Sequence, residues 1–180
     1  MDLSSTYRSF AQAFFPNAQI IADKFHVLRL INPTLNRYRK QVTGDRRSLK
    51  IRRLLLVNSA KIDSWTRKQI WRWLEEYPEL KELYTAKEAL QRLYRCHGYN
   101  KAKRSLIGLL DWLADTKIKE LQTLRNTLLN WQGEILNYFK TKLTNARTEG
   151  FNNVAKSIIK RAYGFRSFKN YRLRLLESCY

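Results

Sequence analysis

From Lys140 to Arg174 the chain carries ten Lys or Arg residues and a single acid, Glu149. A carboxylate alone in a basic field has two ordinary explanations. It sits in the first turn of a helix, where the dipole favours it, or it is a ligand for a divalent cation. The neighbouring residues make the question concrete. If Thr148 caps a helix running to Ala162, then Asn153, Lys156 and Lys160 point within about 40° of Glu149 at roughly 100° per residue. Val154, Ala155, Ile158 and Ala162 fall roughly opposite, with Ile159 toward one flank. One face then holds a carboxylate, an amide and two amines suited to phosphate. A solvated polar face on an ordinary amphipathic helix accounts for the same pattern.

The rest of the chain must supply the elements that position such a face. Its 180 residues suffice for one ordinary domain or a piece of a larger one, and 44% apolar with 13% aromatic content provides a core and excludes wholesale disorder. Thirty-five Lys and Arg against 15 Asp and Glu leave a formal charge of +20, so the expected partner is a polyanion, nucleic acid foremost. Six Gly and three Pro leave few tight turns, which argues against a small sandwich or barrel and for a mainly α chain. Neither Cys96 nor Cys179 belongs to a Cys-x-x-Cys pair, so neither a disulfide framework nor a zinc finger is expected. No apolar run approaches the roughly 18 residues that span a bilayer, and residues 1–8 lack a signal-peptide pattern. A cytoplasmic protein without a membrane partner follows as the expectation.

Helical periodicity recurs along most of the sequence. Leu3, Tyr7, Phe10, Ala11 and Phe14 predict a helix with one buried face, stopped at Pro16. Residues 18–22, short, apolar and β-branched, predict a buried strand ending at Asp23. Val27, Ile31, Leu35, Tyr38 and Val42 predict one amphipathic helix, with Arg29, Arg37, Arg39 and Lys40 off its stripe and a break near Gly44. Basic and apolar residues then alternate between Arg46 and Arg53. Trp65, Trp71, Trp73, Leu74, Leu80, Leu83, Leu90 and Leu93 indicate two or three helices, and Glu75, Glu76, Glu79, Glu82 and Glu88 indicate a face that is solvated or docks on protein. A short helix from Ala102 to Ala114 precedes a long one with Ile118, Leu121, Leu124, Leu128, Ile135, Phe139 and Leu143 in its stripe.

Three ordered motifs add a resemblance. Asp23-Lys24-Phe25-His26-Val27 follows the expected strand, Arg147-Thr148-Glu149-Gly150-Phe151-Asn152-Asn153 comes much later, and Ile159-Lys160-Arg161-Ala162-Tyr163-Gly164-Phe165-Arg166 follows, with Phe168, Asn170, Arg172, Leu173 and Arg174. In this order they resemble bacterial insertion-sequence transposases of the ISL-three group, in the DDE superfamily. The resemblance runs over nearly the whole chain, with residues 51–143 matching in helical character rather than in motif.

The resemblance implies the C-terminal part of a ribonuclease-H-like catalytic core with one or two strands and a large helical insertion. Its segments are residues 1–45 as partial core, 46–143 as insertion and 144–180 as catalytic helix and basic tail. In the family two Asp and one Glu bind two Mg2+ ions for DNA cleavage and strand transfer. Glu149 matches the closing Glu and Asp2 the second Asp, with Asp23 ranked below Asp2. Asp23 and His26 match an Asp-x-x-His signature that supports the site. Asn153, Lys156, Lys160, Arg161 and Arg166 become candidate DNA contacts, a solvated basic face being the plainer alternative. The implied partners are double-stranded DNA and full-length transposase in a homo-oligomer, near the nucleoid. The family's zinc-ribbon, helix-turn-helix and first-Asp regions have no counterpart in these residues, so a truncated chain inactive alone is expected. A non-enzymatic DNA-binding protein or transposition inhibitor is the alternative.

Overall fold

The computed structural model describes residues 1–44 and 49–179. The described residues are mainly α and divide into two compact units, Met1–Lys142 and Leu143–Tyr180. In the first unit lie α1 (Ser5–Phe14), α2 (Lys24–Arg29), α3 (Asn32–Thr43), α4 (Leu49–Leu56), a 3-10 turn (Ser59–Lys61), α5 (Ser64–Glu75), α6 (Pro78–Leu93), α7 (Tyr99–Ala114), α8 (Lys119–Asn130) and α9 (Gln132–Thr141). The second holds α10 (Ala146–Arg161) and α11 (Phe168–Cys179), which pack on each other as a helical hairpin. The start of the basic alternation at Arg46 lies outside the described residues.

Helix α6 is the centre of the first unit and packs on α2, α3, α5 and α7. Pro78 in its first turn lacks only an N–H that would be unpaired anyway, and Glu79 suits the positive end of the helix dipole. Leu80, Leu83, Tyr84, Ala86, Leu90 and Leu93 are buried around most of its circumference, as in a helix surrounded by others. Each fully buried Leu is worth about 1.5–3 kcal/mol. Helix α7 adds Ala102, Leu106, Leu109, Leu110 and Leu113, and packs on α8 and α9.

The interior also holds charge. Lys87 is fully buried, and its Nζ donates to the carbonyls of Leu55 and Val57 at 2.7 Å each and pairs with Glu88 Oε1 at 2.6 Å. It thus closes the carbonyl end of α4. Glu88 accepts from the Ser59 amide at 3.3 Å and from its hydroxyl. Burial lowers the Lys87 pKa, and the Glu88 carboxylate opposes that shift. Glu88 therefore does not belong to a solvated or docking face, because its oxygens satisfy the turn that follows α4. Arg39, off the apolar stripe in the sequence, is also buried, bonding Asn36 and Thr43 along α3.

Four other expectations need correction. Residues 18–22 form no strand, and none occurs among the described residues. A ladder needs a neighbour of matching length. Here Met1 alone lies alongside, donating to Ile21 O at 2.7 Å and accepting from the Asp23 amide at 2.8 Å. Glu134 O and the Asn137 amide, both from α9, serve Ala22 N and Ile20 O instead. The helix expected through Val27 and Val42 is two helices, because Pro33 lies in the first turn of α3 and a continuous helix would clash there. Val27, Ile31 and Leu35 are nonetheless buried. The long helix after Ile118 breaks at Trp131, whose φ and ψ are −110° and 15°. Lastly, α1 buries none of its residues. Its polar side is the anchored one: Arg8 donates to Asn130 O at 2.8 Å and Asn130 Oδ1 at 3.0 Å, and lies 4.3 Å over the Trp131 ring. Tyr7, Phe10 and Phe14 remain exposed.

Candidate functional site

The first unit brings Asp2, Asp23 and His26 together. Residues 18–22 lead to Asp23, which precedes α2, and one turn later His26 returns to it: Nδ1 lies 2.8 Å from Asp23 Oδ2. On the other side of the ring, Nε2 lies 3.4 Å from Asp2 Oδ1. The imidazole thus stands between two carboxylates of unlike exposure. The Asp23 side chain is completely buried and that of Asp2 is 53% exposed. Asp23 Oδ1 is buried with no hydrogen-bond partner among the described residues. Nearby, burial pushes the Tyr94 phenol far above its ordinary range, with Tyr138 and the Asp23 charge adding to the shift.

In the second unit α10 begins earlier than expected, at Ala146, so Thr148 is inside the helix and Asn145 is its N-cap residue. Glu149 falls in the first turn, where the dipole favours an acid. Glu149, Asn153, Lys156 and Lys160 are all exposed along one side, whereas Val154, Ala155 and Ala162 are half-buried and Ile158 is buried. Arg161 and Arg166 are exposed as well. Between α10 and α11, Arg161, Arg174, Ile158, Glu177 and Ser178 line a cleft of about 370 Å³. Among the described residues none of Lys156, Lys160, Arg161 and Arg166 enters an ion pair within the chain.

The residues suit a hard divalent cation in their own units. Such an ion prefers carboxylate oxygen and keeps much of its water, so its ligands must be reachable from solvent. Asp2 and Glu149 meet that condition. The Asp23 side chain is closed off from solvent, and one of its oxygens already meets His26. The first unit therefore offers an exposed carboxylate at Asp2 beside the ring of His26, and the second an exposed carboxylate at Glu149 on the basic side of α10. The His26 link to Asp2 is absent from the sequence reading, because it depends on the chain returning to Met1. Of the five Trp, Trp131 is buried and Trp65 the most exposed.

The sequence matches the family described as Transposase over residues 1–175. A curated relative, the transposase for insertion sequence element IS1001 of Bordetella parapertussis, is 27% identical over 184 aligned positions. That alignment covers 97% of this chain and 45% of the relative, so the chain spans less than half of the relative's length. No solved structure matches the chain. Among the described residues no helix is long and apolar enough to cross a membrane.

Proposed function

Because the chain belongs to the ISL-three group of DDE transposases, we propose that it forms the later part of a ribonuclease-H-like catalytic core that cleaves and joins DNA at insertion-sequence ends. Residues 1–45 are the partial core, 46–143 the helical insertion, and 144–180 the closing helix and basic tail. Asp2 and Glu149 are its metal-binding carboxylates. One observation supports the reading above the rest. The Met1 N–H reaches Ile21 O while the Asp23 N–H reaches Met1 O, which is the bonding pattern of a parallel pair reduced to one residue. Asp2 and Asp23 then stand at the carboxyl ends of two adjacent parallel segments, where open α/β folds collect their functional side chains.

Asp2, reachable from solvent and beside the His26 ring, binds the cation. Asp23, buried, fixes that ring and is a positioning residue. Mg2+, when bound, supplies the polarisation of the attacking and leaving oxygens that phosphodiester displacement requires. Asn153, Lys156, Lys160, Arg161 and Arg166 hold the DNA phosphates beside the reacting bond. The substrate is double-stranded DNA, first a transposon end and then the target attacked by the freed 3′-hydroxyl. The working form is a homo-oligomer, close to the nucleoid. The residues contain two of the three carboxylates that two-metal chemistry uses, so the 180 residues by themselves are inactive. The +20 charge keeps a second reading in play, a non-enzymatic DNA-binding protein that inhibits transposition.

The test uses a polypeptide that also supplies the part of the transposase not represented here, in cis or co-expressed. Strand cleavage at a transposon end should appear with Mg2+ and be abolished by Asp2→Asn and by Glu149→Gln, with DNA binding retained. Full cleavage by Asp2→Asn would remove that residue from the site. Cleavage by the unsupplemented chain would end the claim that it is inactive alone, and binding without cleavage in the supplemented form would favour the inhibitor.

A further inference from the structure

We propose that the turn between α10 and α11 is a stacking site for unpaired nucleobases, with Tyr163 as the ring that meets the base and Phe168 as a second exposed ring. The proposal rests on the DNA-binding reading above and adds what kind of DNA the hairpin recognises.

The backbone singles out Tyr163. Helix α10 closes with Ala162 N–H to Ile158 O at 3.0 Å, Tyr163 N–H to Lys160 O at 3.3 Å and Gly164 N–H to Ile159 O at 3.1 Å. This closure puts Tyr163 at φ +50° and Gly164 at φ +102°. The left-handed region disfavours a residue with a bulky side chain, and folding alone would select Gly or Asn there. Among the described residues Lys142, at φ +59°, is the other non-glycine residue of this kind, and contacts account for it: its ammonium lies 5.2 Å over the Tyr138 ring and 4.7 Å over that of Phe139. Tyr163 has no such contact among the described residues, and its side chain is wholly exposed. An unfavourable backbone position thus holds an aromatic ring clear of the protein.

The surroundings say what the ring meets. Phe165 and Phe168 rest against Tyr171 at 5.5 and 6.2 Å, which supports the turn from α11, yet Phe168 is still largely exposed. Lys160, Arg161, Arg166 and Lys169 flank these rings, and no acid occurs from Gly150 to Leu176. Free aromatic faces along a basic edge are how proteins hold single-stranded nucleic acid: cations follow the phosphates and each base stacks on a ring. A blunt duplex keeps its bases stacked on one another and offers the ring nothing. A frayed or cleaved DNA end does.

Tyr163→Gly makes a clean test because glycine suits the left-handed position, so the hairpin keeps its turn while the ring is lost. The 180-residue chain is titrated against a short blunt duplex and against the same duplex with an unpaired 3′ extension carrying 2-aminopurine. The wild type should bind the extended DNA more tightly and quench the probe. Tyr163→Gly should lose about tenfold on the extended DNA, the size expected of one base–aromatic stack, with duplex affinity unchanged, and Tyr163→Trp should restore both preference and quenching. Equal losses on both DNAs, or no loss on either, would overturn the stacking site while leaving DNA binding intact. Binding of neither DNA by the wild type would overturn the DNA reading and this proposal with it.

Discussion

The bundle of residues 1–142 and the hairpin of residues 143–180 use their side chains in opposite ways. The bundle closes a continuous apolar interior around α6, including Leu83, Leu90, Leu106 and Leu113, and buries Lys87 within it. Among the described residues of the hairpin only Ile158 is buried, while the side chains of Lys156, Lys160, Arg161 and Arg166 stand in solvent and enter no ion pair among the described residues. Fold stability therefore resides in the first unit. The charges of the second contribute little to folding, since like charges on one short hairpin repel, and their arrangement makes sense through a polyanion.

That contrast breaks most sharply in the bundle. Leu83→Ala should cost about 4 kcal/mol through lost burial and the cavity left behind, seen as a lower midpoint in thermal unfolding. Ile158→Ala should leave the bundle's transition in place. An equal shift from both would mean that the units do not differ as described. Next in size, Lys87→Ala should cost about 3 kcal/mol because it uncovers the end of α4, removes the cation beside Glu88 and empties the space filled by the buried stem. Lys87→Met, which keeps the buried stem, should cost visibly less, and equal costs would show that the charge rather than the packing dominates.

In the hairpin the expected effects move from stability to binding. Lys160→Ala and Arg166→Ala should each weaken duplex binding a few-fold and lower the log–log salt slope by about one, without moving the unfolding midpoint. A salt slope unchanged in both variants would place the phosphate contacts elsewhere. The smallest effect returns to the bundle surface. The backbone amide of Glu120 itself, at the start of α8, holds its carboxyl below the ordinary range, and Tyr38 and Arg37 lower it further against the opposing effect of burial. A depressed carboxyl stabilises the fold above its unfolded value of 4.5 and loses that contribution as pH falls through the folded one. Glu120→Gln should cost a few tenths of a kcal/mol at neutral pH, as for an exposed pair, and nothing once the carboxyl is protonated. A variant equally destabilised at both pH values would show that the loss is not electrostatic.

Much of the helical structure was legible, and its errors have local causes. The Val27–Val42 periodicity is right about burial at Val27, Ile31 and Leu35, but it overlooks what Pro33 does to the chain between them. The long stripe after Ile118 likewise keeps its buried side through a break at Trp131 as far as Phe139, because α9 resumes with an apolar side still facing inward, whereas Leu143 lies beyond the end of α9 and is exposed. The motif residues could be named in advance, yet nothing in their spacing shows His26 between a buried Asp23 and an exposed Asp2.

By itself the sequence determined that the chain is mainly α and that one side of α10 is charged, since both follow from interactions within a few residues along the chain. Its motifs also carried the family. Only the tertiary structure decided that the apolar side of α1 lies uncovered, that Lys87, Glu88 and Arg39 turn inward, that residues 18–22 lean on Met1 and α9 instead of a sheet, and that Asp2 meets His26. Burial and long-range hydrogen bonds depend on which distant segments come to lie alongside, and periodicity within a segment carries no record of its neighbours.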